Sequence, residues 1–118
     1  MTIERIGAGA VNSRVVRYNG IVYLSGLVAD DTSKDLSYQA REILQKVDIL
    51  LSEAGTTKKK LISSTVYMSS IEEKDLFNAV WSAWIDKDNP PARACIGASL
   101  PPGVLVEIMV TAVADQVP

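Results

Sequence analysis

The sequence predicts an α+β fold in which two helices cover one face of a single mixed sheet. Three observations carry this. The apolar pattern switches between period two and period 3.6 in the order ββ-α-β-α-ββ. An Asn19-Gly20 pair lies between the first two β-type runs, a strong hairpin signal. Both helical stretches end on a stop signal, Gly55 for the first and Asn89-Pro90-Pro91 for the second.

The elements follow in order. Arg14 to Tyr18 and Ile21 to Val28 read as strands rich in β-branched and aromatic residues. Thr32 to Asp35 is a polar break. Leu36, Ala40, Ile43, Leu44, Val47, Leu50, Leu51 and Ala54 then recur at spacings of three and four, which makes one apolar helical stripe. Gly55 stands where a helix C′ glycine belongs. Leu61 to Met68 is the next strand. Ser70 and Glu73 fit a capping box for a second helix over Glu72 to Ile85, with Leu76, Val80, Ala83 and Trp84 turned inward. Ala92 to Ala98 and Val104 to Val113 close the sheet, joined by a turn at Leu100-Pro101-Pro102-Gly103.

Composition bounds the function. The chain has 118 residues, enough for one domain spanning 1–118 and no second core. Its hydrophobic fraction of 47% and charged fraction of 22% are those of a folded domain. A net charge of −2 argues against a general binder of phosphate backbones. No apolar stretch approaches the ~20 residues of a membrane span. Met1 to Ala10 lacks an apolar signal core, which points to the cytoplasm. There is no histidine and one cysteine, Cys95. That removes Ser-His-Asp and Cys-His catalysis, His-ligated metals, internal disulfides and multi-Cys zinc sites. No cofactor or tightly held transition metal is expected.

Side chains alternate along a strand. Read this way, Ala92, Ala94, Ile96 and Ala98 share the helix-covered face with Val104, Val106, Ile108, Val110 and Ala112. Arg93, Cys95, Gly97 and Ser99 then share the other face with Leu105, Glu107, Met109, Thr111 and Val113. That second face is too apolar for open solvent, so it is expected to be covered by further copies of the chain. Arg93 and Glu107 would sit at that interface, either as a cross-strand ion pair or as a ligand site.

Pro91-Ala92-Arg93-Ala94-Cys95-Ile96, then Leu100-Pro101, then Val106-Glu107-Ile108 with Ala112, resembles the closing signature of the RidA/YjgF family. These are reactive-intermediate imine deaminases, some of which carry the name L-PSP endoribonuclease. The segment Gly20 to Gly26, with its apolar strand and Ser-Gly end, is similar to the family's, as are Gln39-Ala40-Arg41 and Glu53-Ala54-Gly55. The resemblance spans roughly residues 19 to 113. It implies a chorismate-mutase-like fold and a homotrimer with clefts between subunits. It also implies hydrolysis of small carboxylate-bearing imines or enamines to a 2-oxo acid and ammonia.

Under this resemblance, Arg93 forks the substrate carboxylate through two parallel hydrogen bonds. Glu107 positions water and shuttles a proton. Ser25 and Gly26 border the cleft. Cys95 lines it, as a small hydrophobe or as a nucleophile. Trp84 is an apolar wall or a core residue. The early segment departs from the family's Gly-Pro-Tyr pattern: Asn12 takes the tyrosine's place and Arg14 the glutamine's. Arg14 is either a second cation, suited to a dicarboxylate, or a solvated hairpin residue.

Two other readings stay open. One is a trimer that binds a small carboxylate metabolite without turnover. The other is RNA cleavage, which the Lys58-Lys59-Lys60 run and the missing histidine support poorly.

Overall fold

The computed structural model describes residues 2–114. Its strands are β1 (Glu4–Ala8), β2 (Ser13–Tyr18), β3 (Ile21–Leu24), β4 (Leu61–Met68), β5 (Ala92–Gly97) and β6 (Val106–Val113). Its α-helices are α1 (Leu36–Glu53) and α2 (Lys74–Trp84). All the strands join one sheet in the order β1-β2-β3-β6-β4-β5. The β4–β5 pair is parallel and the others are antiparallel, so the sheet is mixed as expected.

The turn at Asn19-Gly20 has both residues in the left-handed region, at φ 54 and 80, and sets Tyr18 opposite Ile21. That is the backbone a two-residue hairpin requires. Asp35 caps α1 by accepting from the Tyr38 N–H at 2.9 Å. The helix ends as its glycine predicts. Gly55 has φ 84, its N–H donates to the Ser52 carbonyl, and Thr56 N–H donates to the Leu51 carbonyl. The buried residues of α1 are those of the expected stripe, with Gln39 added. Gln39 is fully buried and fully used. Its Nε2 donates to the Lys34 and Gly103 carbonyls, and its Oε1 accepts from Leu105 N–H. It ties α1 to the loop entering β6.

Three expectations are corrected. Strand β1 was not foreseen, because Ile6 is its one half-buried apolar side chain and Gly7 bends it at φ 66. The capping box does not form. Ser70 gives its hydroxyl to Glu72 at 2.8 Å, and a 3₁₀ turn over Ile71–Glu73 precedes α2. The Glu72 carboxyl lies below its ordinary range through its own backbone N–H first, then the Ser70 hydroxyl. The helix α2 begins at Lys74 and buries a different face from the one expected. Phe77 and Trp81 are its buried residues, while Leu76 is 50% exposed.

The third correction matters most for function. In β5 the two faces are exchanged. Ala92, Ala94 and Ile96 look outward, and Arg93 and Cys95 point under α2. The cause is register. Arg93 is paired with Ser64 of β4, which is 3% exposed on the helix-covered side, and paired residues share a face. Alanine fits either face, so alternation of small residues could not fix the phase. In β6 the expected phase holds: Val106, Ile108, Val110 and Ala112 are buried under the helices. The opposite face carries Tyr18, Tyr23, Ile96, Met109 and Val113, each 41–45% exposed.

Candidate functional site

The residues singled out from sequence fall into two clusters on opposite sides of the sheet. The first lies on the helix side at edge strand β5. Pairing with β4 aims Arg93 beneath α2, where its guanidinium lies 5.0 Å from the Trp81 ring centroid and 5.8 Å from that of Phe77. Nη2 donates to Asn78 Oδ1 at 2.7 Å. Nη1 is buried and has no hydrogen-bond partner. The neighbouring Ser64 Oγ is also buried without a partner. Cys95, two residues on, places its Sγ 3.5 Å from Met68 Sδ. The guanidinium is thus stacked on the indole with one buried donor, Nη1, left without an acceptor.

The second cluster lies on the uncovered face. Glu107 of β6 sits opposite Tyr67 of β4. Its carboxylate lies directly against Gly26, so that any Cβ at residue 26 would collide with Oε2. The close approach is held by the backbone. Leu27 and Ile108 exchange both of their N–H···O bonds, at 2.8 and 3.0 Å, beside the pair. Ser25 donates its N–H to the Arg14 carbonyl at 3.0 Å and its hydroxyl to the Ser13 carbonyl at 2.5 Å. No described cation makes a salt bridge to Glu107.

The remaining candidates are placed as follows. Arg14 adjoins Ser25 through its backbone, but its guanidinium lies over Gly7 of β1. Asn12 is exposed in the β1–β2 turn and accepts from Gly9 N–H through its carbonyl. Trp84 belongs to neither cluster. Its Nε1 donates to Asp48 at 3.0 Å, and it lines a groove between α1 and α2.

Strand β4 runs between β5 and β6, and Arg93 and Glu107 project to opposite faces. The cross-strand ion pair that sequence alternation left open therefore does not exist within one chain. Asn78 and Ser64 were missed. The signal for Asn78 was hidden by the misread phase of α2, since it neighbours the buried Phe77. Among the described residues no three or more Cys, Asp or Glu side chains gather where they could hold a metal ion. Among the described residues no helix is long and apolar enough to cross a membrane.

Comparison with known proteins covers nearly the whole chain. The family model described as "Endoribonuclease L-PSP" matches residues 2–114. A RutC family protein of Haemophilus ducreyi is 37% identical over 111 residues, which are 93% of this chain and 95% of the relative. Among solved structures, a member of the YjgF protein family from Neisseria meningitidis has a TM-score of 0.92 at 32% identity, covering 99% of this chain and 98% of that one. An uncharacterized protein from Pseudomonas aeruginosa gives a TM-score of 0.93 at 32% identity, covering 97% of this chain and 100% of that one. Sequence and fold agree, and the chain belongs to the endoribonuclease L-PSP family, the RidA/YjgF proteins.

Proposed function

We propose that this protein is a hydrolytic deaminase of reactive enamine and imine intermediates derived from amino acids, acting as a homotrimer with clefts between subunits. One observation carries the reading: Arg93 and Glu107 are on opposite sides of the sheet, and each lacks an ionic partner of its own. A carboxylate beside an electrophilic C=N carbon needs both a guanidinium and a proton-handling group. A second copy packed on the apolar uncovered face brings the Arg93 edge of one subunit toward the Ser25, Gly26 and Glu107 cluster of the next. The exposed Tyr18, Tyr23, Met109 and Val113 support burial of that face by another copy.

The chemistry is redox-neutral. Arg93 holds the substrate carboxylate, with Asn78 fixing the guanidinium. Glu107 takes a proton from water as the oxygen bonds to the imine carbon. Glu107 passes that proton to the nitrogen, giving a carbinolamine. It then takes the hydroxyl proton and delivers it to the amino nitrogen, so that the C–N bond breaks, ammonia leaves, the C=O bond forms and Glu107 ends as it began. An enamine first takes a proton on carbon to become the imine. A buried guanidinium donor without an acceptor costs about 1–3 kcal/mol, a cost that a bound carboxylate removes.

The test is a coupled assay. An amino-acid oxidase generates imines in situ, and their decay is followed with and without the protein. Faster release of 2-oxo acid is expected. An unchanged imine lifetime with saturable binding of the 2-oxo acid would move the reading to a carboxylate-binding trimer. RNA cleavage that persists through stringent purification would move it to the nuclease activity of the family's description.

A further inference from the structure

We propose a second ligand site, in the groove between α1 and α2 on the outer side of the helical layer, for an amphipathic anion with a flat apolar body. This inference is independent of the deaminase reading, because none of the groove's residues belongs to either cluster described above.

The groove has a volume of about 550 Å³, within the range of small-molecule pockets. On the α2 side Leu76, Val80 and Trp84 give an apolar wall, and Ala79 and Ala83 leave it recessed. Leu44 forms the floor from α1. The half-exposed Leu76 is the side chain that the sequence pattern placed in the core and the structure places here.

The wall is held rigid. Trp84 Nε1 donates to Asp48, and Lys58 Nζ donates to the Trp84 carbonyl while lying 5.1 Å from its ring centroid. The indole is thus pinned at its edge, its face and its backbone.

The ionisable lining residues are cations, and the Asp48 carboxylate meets the groove at the Trp84 edge. The cations are Arg41 and Lys58, with Ser37 and Gln45 as the other polar groups of the lining. Lys58 is already engaged, but Arg41 has no ion pair or hydrogen bond among the described residues. From Ser37 to Gln45 the α1 side of the groove runs roughly 12 Å, at about 1.5 Å per residue. That length fits a bicyclic body along Val80 and Leu76 with its anionic head on the Arg41 guanidinium. A peptide helix would bring acidic side chains to several cations, and this groove offers one open cation.

The probe is 2-naphthoate, titrated into the ¹⁵N-labelled full-length protein and read at the Trp84 indole N–H and the amides of α1 and α2. A saturable shift confined to these signals is expected. Affinity should fall about ten-fold in Arg41→Gln and further in Arg41→Glu, as loss of one charge-assisted hydrogen bond predicts. Arg41→Lys should retain most of it, and 2-naphthylmethylammonium should bind more weakly than the carboxylate. Ala83→Leu, which fills the recess without touching Arg41, should also abolish the shift. Equal affinity in wild type and Arg41→Gln would overturn the proposal. So would shifts at Gly26 or Asn78 with Trp84 unmoved, or no saturation. Binding of an acidic helical peptide where naphthoate fails would assign the groove to a protein partner instead.

Discussion

Replacing Arg93 separates a ligand-binding guanidinium from a structural one. In the unliganded chain the opposing contributions partly cancel. The bond from Nη2 to Asn78 is worth about 1.5–3 kcal/mol as a hydrogen bond to a charged group. Stacking over Trp81 and Phe77 adds about 0.5–2 kcal/mol. Against these, the buried and unpaired Nη1 costs about 1–3 kcal/mol. Arg93→Met keeps the aliphatic stem against the rings and removes all three together. Its expected cost in folding free energy is therefore below about 2 kcal/mol. Its expected cost in turnover is about 100-fold, because two charge-assisted bonds to a carboxylate supply about 3 kcal/mol and each 1.4 kcal/mol or so is a factor of ten. Arg93→Lys should lose nearly as much, since an ammonium cannot make the planar fork. The assay is hydrolysis of oxidase-generated imine per folded subunit, alongside urea unfolding of the same preparations. A stability loss of about 3–5 kcal/mol, the size expected for breaking a buried ionic network, with near-native turnover in the folded fraction would refute the carboxylate role.

Glu107→Gln should keep binding of a 2-oxo acid while imine turnover falls by about 100-fold, the scale of general acid–base catalysis; equal loss of binding would point to a purely structural carboxylate. Gly26→Ala should leave thermal stability close to wild type but displace the Glu107 carboxylate and cut turnover, and native activity would show that the close approach is incidental. Gln39→Leu strands buried groups of Lys34, Gly103 and Leu105 and should cost about 2–4 kcal/mol in urea unfolding. Met109→Glu places a charge on the apolar uncovered face and should convert a trimer to monomer in sedimentation analysis; an unchanged mass would exclude that face as the contact surface.

Much of this architecture is legible in the sequence. The α1 stripe, its Gly55 end, the Asn19-Gly20 turn and the alternation of β6 each rest on strong local preferences, and each is found where it was read. What failed depends on partners distant in sequence. The face taken by Arg93 is dictated by Ser64, 29 residues earlier, and the small Ala92 and Ala94 that flank it fit either face. The phase of α2 is set by Phe77 and Trp81 meeting the core, where Leu76 and Ala83 satisfy the same periodicity less well. The sequence offered Arg93, Cys95, Ser25, Gly26 and Glu107 as candidates, and not their arrangement. Their division between two faces follows from β4 lying between β5 and β6, which no local pattern announces.

The position of β6 bears on how the chain is made. The last strand among the described residues is an inner one, hydrogen-bonded to β3 on one side and β4 on the other. Before it emerges from the ribosome, the β1-β2-β3 meander and the β4-α2-β5 unit have no common strand to join them. The growing chain must carry two unfinished apolar surfaces until residues 106–113 are available, and closing the sheet is then a long-range event of the slow kind. Premature termination anywhere before Val106 would not trim an edge from this protein. It would leave two fragments of a sheet with an open seam between them, each exposing strand edges that favour association with other nascent chains.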